Sequence, residues 1–394
     1  MTLGRGATEP SPPPAPTAQP QRWALLIILT AIAALAAAAS AAGWRQSVLA
    51  CIGVLFGATL FHASFGFASA YRRLFVYRDA QGVMAQVLML ALTTLLFAPF
   101  LISGVARGAS SPVALQAAFG ATLFGIGMQL GSGCACGTLY TIGSGSSSML
   151  ITLAGFASGS FLGSLTPGPW RDWPRLAPIS LVDRWGWAGV AVQLAVLAGV
   201  ACLLWRSCQA QVSSPHDSWP RSFSMAWIRG PWSTATGAVA LSILSLLTLV
   251  VAGRPWGVTW GFTLWAAKIA HAFGWDPSSS ALWQQGRFAS ALQADLIRDT
   301  TSVMNAGIVL GAAAAAAAAG VLSLRLPKAP GPMLASLGGG LIMGYGAWLS
   351  FGCNVGAYFS GIASTSLHGW LWIVFALAGT AIGVRLRPLF GLSN

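Results

Sequence analysis

The sequence predicts an all-α fold, a polytopic helical membrane protein made of two pseudo-symmetric repeats with broken, re-entrant Gly-Cys segments. Three observations predict it. Of 394 residues, 55% are hydrophobic and only 7% charged, where a soluble domain carries about 25% charged residues. Apolar runs near 20 residues, the length that crosses a hydrocarbon core, recur along nearly the whole chain. A glycine-rich pattern containing cysteine occurs twice. With a mean hydropathy of +0.69, the composition excludes a cytosolic enzyme and a secreted domain. The net charge of +13 comes from 21 Lys+Arg against 8 Asp+Glu. These basic residues are scattered one to three at a time between apolar runs, so they read as loop charges and helix-end anchors, and no nucleic-acid partner is expected.

Met1 to Gln21 is rich in Pro, Ala and Thr, and residues 1–21 read as a disordered tail. Trp23 to Ala42 is long enough to span. Its Ala-rich end imitates a signal-cleavage site, but a second apolar stretch follows at once, so residues 22–46 are expected to be an extra, retained N-terminal transmembrane helix. Further apolar segments are Ser47–Tyr71, Val83–Ser103, Pro112–Leu130, Met149–Leu165, Gly186–Trp205, Thr234–Ala252, Gly257–Phe273, Thr301–Leu324, Met333–Ser350 and Gly369–Val384. Several are too short or too rich in glycine for simple spans, and broken backbone is tolerated at membrane depth only where it lines an interior path. The longest polar stretches, Ser207–Ser233 and Gly274–Asp299, read as loops. Arg72, Arg73 and Arg78 follow the Ser47–Tyr71 segment while Arg45 stands alone before it, which favours a cytoplasmic N-terminus.

The strongest signal is internal. Gly120-x4-Gly125-x-Gly127-x5-Gly133-Cys134-x2-Gly137 recurs as Gly339-x4-Gly344-x-Gly346-x5-Gly352-Cys353-x2-Gly356, with a constant offset of 219 residues. A fainter echo pairs Gly57-Ala-Thr59-Leu60 with Gly261-Phe-Thr263-Leu264. The organisation follows: residues 47–206 hold the first repeat half plus a connecting helix, 207–233 a loop, and 234–394 the second half. Paired broken segments meeting at one midplane site, with the halves inverted, are a common plan of membrane transporters.

Gly120, Gly125 and Gly127 and their partners suit close helix packing. Gly133, Gly137, Gly352 and Gly356 bracket the two cysteines, where packing alone does not ask for a thiol; they allow close backbone approach or positive φ beside a projecting sulfur. A thiol is a weak donor with a soft, polarizable sulfur, so Cys134 and Cys353 suit a sulfur-bearing anion. Cys136 has Val355 as its counterpart. It is either a further thiol station or redox partner for Cys134, or a small residue facing a helix. Asn354 and Thr138 offer polar contacts to a substrate or cap their own loop. Cys51 and Cys202 read as small hydrophobes, and Cys208 as incidental.

All seven Asp fall in loops and the sole Glu, Glu9, in the tail, so no carboxylate stands in a span to relay protons or hold Na⁺. His62 and Lys268 are weaker pathway candidates. His62 is ionisable at apparent membrane depth, and Lys268 either attracts an anion or snorkels to the interface. The four His show no ligand spacing with each other or with the cysteines, so no metal, no cofactor and no catalytic residue is expected.

At Gly131-Ser-Gly-Cys134-Ala-Cys136-Gly137-Thr138-Leu-Tyr140, and again at Phe351-Gly-Cys353-Asn-Val-Gly356, the sequence resembles the YeeE/YedE family of bacterial inner-membrane proteins that take up thiosulfate or related sulfur compounds. The resemblance runs from about Val48 to Leu389. It implies an hourglass-shaped helical protein of two pseudo-symmetric halves, whose central constriction passes substrate between thiols. Cys134 and Cys353 match two of the family's three functional cysteines. The third falls where this chain reads Phe65-Gly66-Phe67, with Gly66 in the cysteine's place.

The leading expectation is therefore a multi-pass inner-membrane transporter, not an enzyme, carrying a small sulfur-containing anion along a thiol-lined path. A cytoplasmic sulfurtransferase-type acceptor is the candidate protein partner beside the lipid bilayer. The alternative is a membrane redox or sulfur-transfer protein using the Cys134/Cys136 pair. A structural scaffold ranks behind both, since it has no need of paired Gly-Cys loops.

Overall fold

The computed structural model describes residues 19–166, 170, 172–208, 230–326 and 329–394. Most of the expected tail and most of the 207–233 loop lie outside the described residues. Among those described, nine segments are long and apolar enough to cross a membrane. The helices are α1 (Arg22–Ser40), α2 (Trp44–His62), α3 (Phe67–Tyr77), α4 (Gln81–Ile102), α5 (Leu115–Leu130), α6 (Ala135–Gly143), α7 (Ser148–Leu165), α8 (Leu181–Trp185) and α9 (Trp187–Ser207). They continue as α10 (Thr234–Ala252), α11 (Thr259–Ala272), α12 (Gly286–Gln293), α13 (Thr300–Ala318), α14 (Pro330–Leu349), a π-helical turn at Asn354–Phe359, α15 (Ser360–Ala363) and α16 (Leu367–Leu386).

Three differences from the sequence reading matter. Ser47–Tyr71, read as one segment, is two helices separated by residues 63–66. Ser64 takes a left-handed conformation (φ 46°), its N–H donates to the Phe61 carbonyl and the Phe65 N–H donates to Leu60, a pattern that closes a helix end. The Gly274–Asp299 loop contains α12 and two 3-10 turns. Finally, Val113–Ala114 pairs antiparallel with Arg175–Leu176, a two-residue ribbon that ties down the approach to α5.

Helices in lipid gain little from burying apolar surface against each other, so close backbone approach carries the packing. Gly57 of α2 faces the Ile308 carbonyl of α13, and Gly155 and Gly159 of α7 face Leu337 and Leu341 of α14. These contacts also fix directions. Phe156 lies against Gly344 and Thr152 against Gly340, so α7 and α14 run parallel. Gly120 meets Gly346 and Gly127 meets Gly339, so α5 and α14 run antiparallel. Ser242 donates to the Met89 carbonyl and Arg107 to the Gly253 carbonyl, so α4 and α10 run parallel.

Traced through these pairs, the start of α1, the α3–α4 turn and the end of α16 fall at one end of the bundle. Tyr77 donates to the Asn394 carbonyl there at 3.0 Å. Arg72, Arg73 and Arg78 gather at that end, with Arg73 paired to Asp79 at 2.5 Å. Asp183, Asp276, Asp295 and Asp299 lie at the other.

Candidate functional site: buried thiols at three helix breaks

Three breaks open inside the bundle, at residues 63–66, 131–134 and 350–353. Two are made alike. After α5, Ser132 adopts φ 58°; after α14, Phe351 adopts φ 59°, and these residues stand 219 apart, as Cys134 and Cys353 do. The positive φ expected of the bracketing glycines thus falls mainly one residue earlier, at Ser132 and Phe351, because the residue just past a helix end takes the left-handed turn. Gly352 alone of the four shares it (φ 148°), and a Cβ there would stand 2.9 Å from the Ala357 nitrogen. A Cβ on Gly137 would press on the Cys134 sulfur at 3.3 Å. Around Gly133 a Cβ would make ordinary contacts, and around Gly356 it would meet open space.

Each motif cysteine then caps the next helical segment. The Gly137 N–H donates to Cys134 Sγ at 3.4 Å, and the Val355 N–H donates to Cys353 Sγ at 3.4 Å. A sulfur that accepts from a helix start is bathed in the positive end of the backbone dipoles, and its own S–H remains free to donate. Cys136 Sγ lies 3.4 Å from Cys134 Sγ, within S–H···S reach. The Phe67 amide at the start of α3 also faces Cys134, and Cys353 lies within electrostatic reach of Cys136 and Cys134. All three sulfurs are buried, whereas Cys51 and Cys202 are exposed on the outside of the bundle.

Gly66 is the N-cap of α3. A Cβ there would stand 2.6 Å from Ser69 Oγ and 3.6 Å from the Tyr140 hydroxyl, so oxygen atoms border the position. Asn354 is 0% exposed, and neither Oδ1 nor Nδ2 has a hydrogen-bond partner. The same holds for the hydroxyl of Tyr71, beside Asn354 and Tyr358 and within reach of Cys134. An unmet buried polar group costs about 1–3 kcal/mol, and the Tyr71 hydroxyl and Asn354 amide, facing each other and Tyr358 beside the thiols without closing a hydrogen bond, make this cluster a candidate ligand site.

The remaining candidates are engaged by other partners. Thr138 Oγ1 donates to the Cys134 carbonyl at 2.9 Å and so serves the turn of α6. His62 stacks on Trp232 with ring centroids 5.4 Å apart, at the end of α2. Lys268 donates to the Leu292 and Ala294 carbonyls, both at 2.6 Å, and thereby fastens the end of α12. The sequence reading did not single out Tyr71, which precedes Arg72 and Arg73, or Tyr358, beside Phe359 and five residues after Cys353; the fold brings Tyr71 to the cysteines, and the Tyr358 N–H donates to the Cys353 carbonyl.

A family model described as sulphur transport matches residues 62–382. The chain belongs to that family. Similar relatives include the "Probable transporter YedE" of Salmonella typhimurium, 33% identical over 175 residues (44% of this chain, 42% of the relative), and its Escherichia coli counterpart, 32% identical over the same length. The match thus takes in about two fifths of each YedE protein. The "Thiosulfate transporter TsuA" of Spirochaeta thermophila is 28% identical over 350 residues, 83% of this chain and 94% of that relative. All three break regions lie within or at the edge of the family match, and the nine candidate spans fit a multi-pass inner-membrane protein.

Proposed function

We propose that this chain takes up a small sulfur-containing anion, thiosulfate or a related species, along a central path lined by Cys134, Cys136 and Cys353. The observation that carries this reading is the gathering of three buried thiols at the breaks of α5–α6 and α14, two helices that run in opposite directions. Soft sulfurs and weak S–H donors favour a sulfur atom over harder anions, while the starts of α3 and α6 add positive potential at the thiols. Cys136, in contact with Cys134, provides the third thiol that Gly66 does not.

The two halves are read as inverted repeats. Under the 219-residue offset the contact Gly120–Gly346 turns into Gly339–Gly127, and both contacts occur, the reciprocity that a two-fold axis produces. A soluble sulfurtransferase-type acceptor in the cytoplasm would receive cargo at the arginine-rich end, the side that basic residues favour. The 3.4 Å approach of Cys134 and Cys136 also supports the alternative reading, a dithiol that cycles or carries sulfur.

The test is sulfur-limited growth and labelled thiosulfate uptake in a bacterium lacking its own importers. Cys353→Ala is expected to abolish uptake with the protein still in the membrane; normal transport by that variant would defeat the thiol path. A persistent mass increase on Cys134 or Cys136 after exposure to thiosulfate would favour the sulfur-transfer alternative instead.

A further inference from the structure

We propose that Tyr71 and Asn354 form the oxygen-binding end of the site and select anions that carry both a terminal sulfur and oxygen. The inference rests on the reading that the thiol path carries a sulfur-containing anion. Its starting point is the contrast between these two side chains and their neighbours. Ser350 Oγ donates to the Gly346 carbonyl at 2.7 Å, Ser360 Oγ to the Trp256 carbonyl at 2.8 Å, and Thr138 Oγ1 to the Cys134 carbonyl. Those hydroxyls are spent on the backbone. The Tyr71 hydroxyl and the Asn354 amide face each other, with Tyr358 beside them, yet close no hydrogen bond to the backbone or to one another, although both residues are at most 1% exposed.

Asn354 follows Cys353 directly, and Tyr71 lies one turn into α3, whose first amide faces Cys134. Donors of two kinds therefore stand side by side: S–H groups, which suit a soft terminal sulfur, and O–H and N–H groups, which suit charged oxygens. A tetrahedral anion with oxygen on every corner, such as sulfate, would set a hard oxygen against the soft thiols, whose weak S–H donors suit it less than they suit sulfur. An anion with sulfur at one corner is matched at both ends. The unpaired donors also make the discrimination steep, because an analogue lacking oxygen leaves them unmet.

The experiment measures labelled thiosulfate uptake, with unlabelled sulfate as competitor, for the wild type, Tyr71→Phe, Asn354→Leu and Cys353→Ala at matched membrane amounts. Melting of each purified protein in detergent is followed in parallel. Tyr71→Phe removes one oxygen and keeps the ring. The expected result is a rise in KM of about tenfold or more in Tyr71→Phe and in Asn354→Leu, with maximal rate and melting close to wild type. Wild-type KM and the same exclusion of sulfate in Tyr71→Phe, together with loss of uptake in Cys353→Ala, would overturn the oxygen-end assignment and leave the thiol path standing. A fall in maximal rate and melting at unchanged KM would overturn it in favour of a packing role. Normal uptake by Cys353→Ala, or none by the wild type, would overturn the thiol reading and this inference with it.

Discussion

Gly127 and Gly339 touch backbone to backbone: a Cβ on Gly127 would stand 2.5 Å from the Gly339 carbonyl oxygen, and one on Gly339 would stand 2.9 Å from the Gly127 carbonyl oxygen. Gly120 and Gly346 repeat the arrangement at 2.7 and 2.5 Å. These two contacts hold α5 against α14 and so set the separation of the breaks that follow each helix. A side chain at either place pushes the helices apart. Gly127→Val and Gly346→Val are each expected to destabilise the protein by about 1–3 kcal/mol, the usual penalty for overpacking. Gly338→Ala, where nothing lies within 4 Å, should melt at or slightly above the wild type. Thermal unfolding in detergent decides it; equal melting of all three variants would mean that the seam yields without strain.

The sequence exposes the features that depend on local pattern and hides those that depend on distant partners. Thr234–Ala252 matches its helix residue for residue, because a long apolar run bounded by Ser233 and Gly253 admits one reading. The Gly-Cys breaks were legible through their repetition. The break after His62 was not, since no Gly-Cys pattern marks it and hydropathy does not change across it. Tyr71 and Asn354 were unequal in this respect. Asn354 drew notice by adjoining Cys353, whereas nothing near Tyr71 in the chain distinguishes it from a core aromatic. Lys268 shows its charge in the sequence, but the two carbonyls to which it donates lie more than twenty residues away in the chain.

The cysteines divide into an inner and an outer set, and the two should separate in experiment. Replacing Cys51, Cys202 and Cys208 together with Ser is expected to leave thiosulfate uptake within about twofold of wild type, since surface substitutions change stability little. The three thiols that remain are buried, so a maleimide should modify them slowly in the folded protein and rapidly once it is denatured. Loss of uptake in the triple variant would show that an outer thiol takes part.

The packing directions give the two ends of the bundle opposite exposures, which labelling can check in that same triple-Ser background. A single cysteine placed at Gly43, in the α1–α2 turn, should react with an impermeant thiol reagent added to whole cells whose outer membrane has been opened. One placed at Asp79, in the α3–α4 turn beside Arg72, Arg73 and Arg78, should react only after the inner membrane is breached, as the positive-inside rule requires. Equal reaction of both positions from outside would contradict the trace of α2 and α3 together as one crossing.

Arg387 provides the last test, because it joins the end of the chain to the first Gly-Cys break. The residue is 4% exposed. Its Nη1 donates to the Gln129 carbonyl at 2.5 Å and to Ser132 Oγ at 3.3 Å, while Nε and Nη2 both donate to the Ser393 carbonyl. Gln129 is in the last turn of α5, where carbonyls lack helical partners and the dipole favours a cation. The guanidinium therefore closes α5 at the point where the chain turns toward Cys134, and a single ammonium has no fork to reach all three acceptors. Arg387→Ala is expected to destabilise the protein by about 2–4 kcal/mol and to depress uptake, and Arg387→Lys to recover only part of both. Since the Cys134 thiol is held by α6 rather than by Arg387 itself, the loss of uptake should track the loss of folded protein across these variants. Full stability and full uptake in Arg387→Ala would show that the α6 cap holds the break unaided.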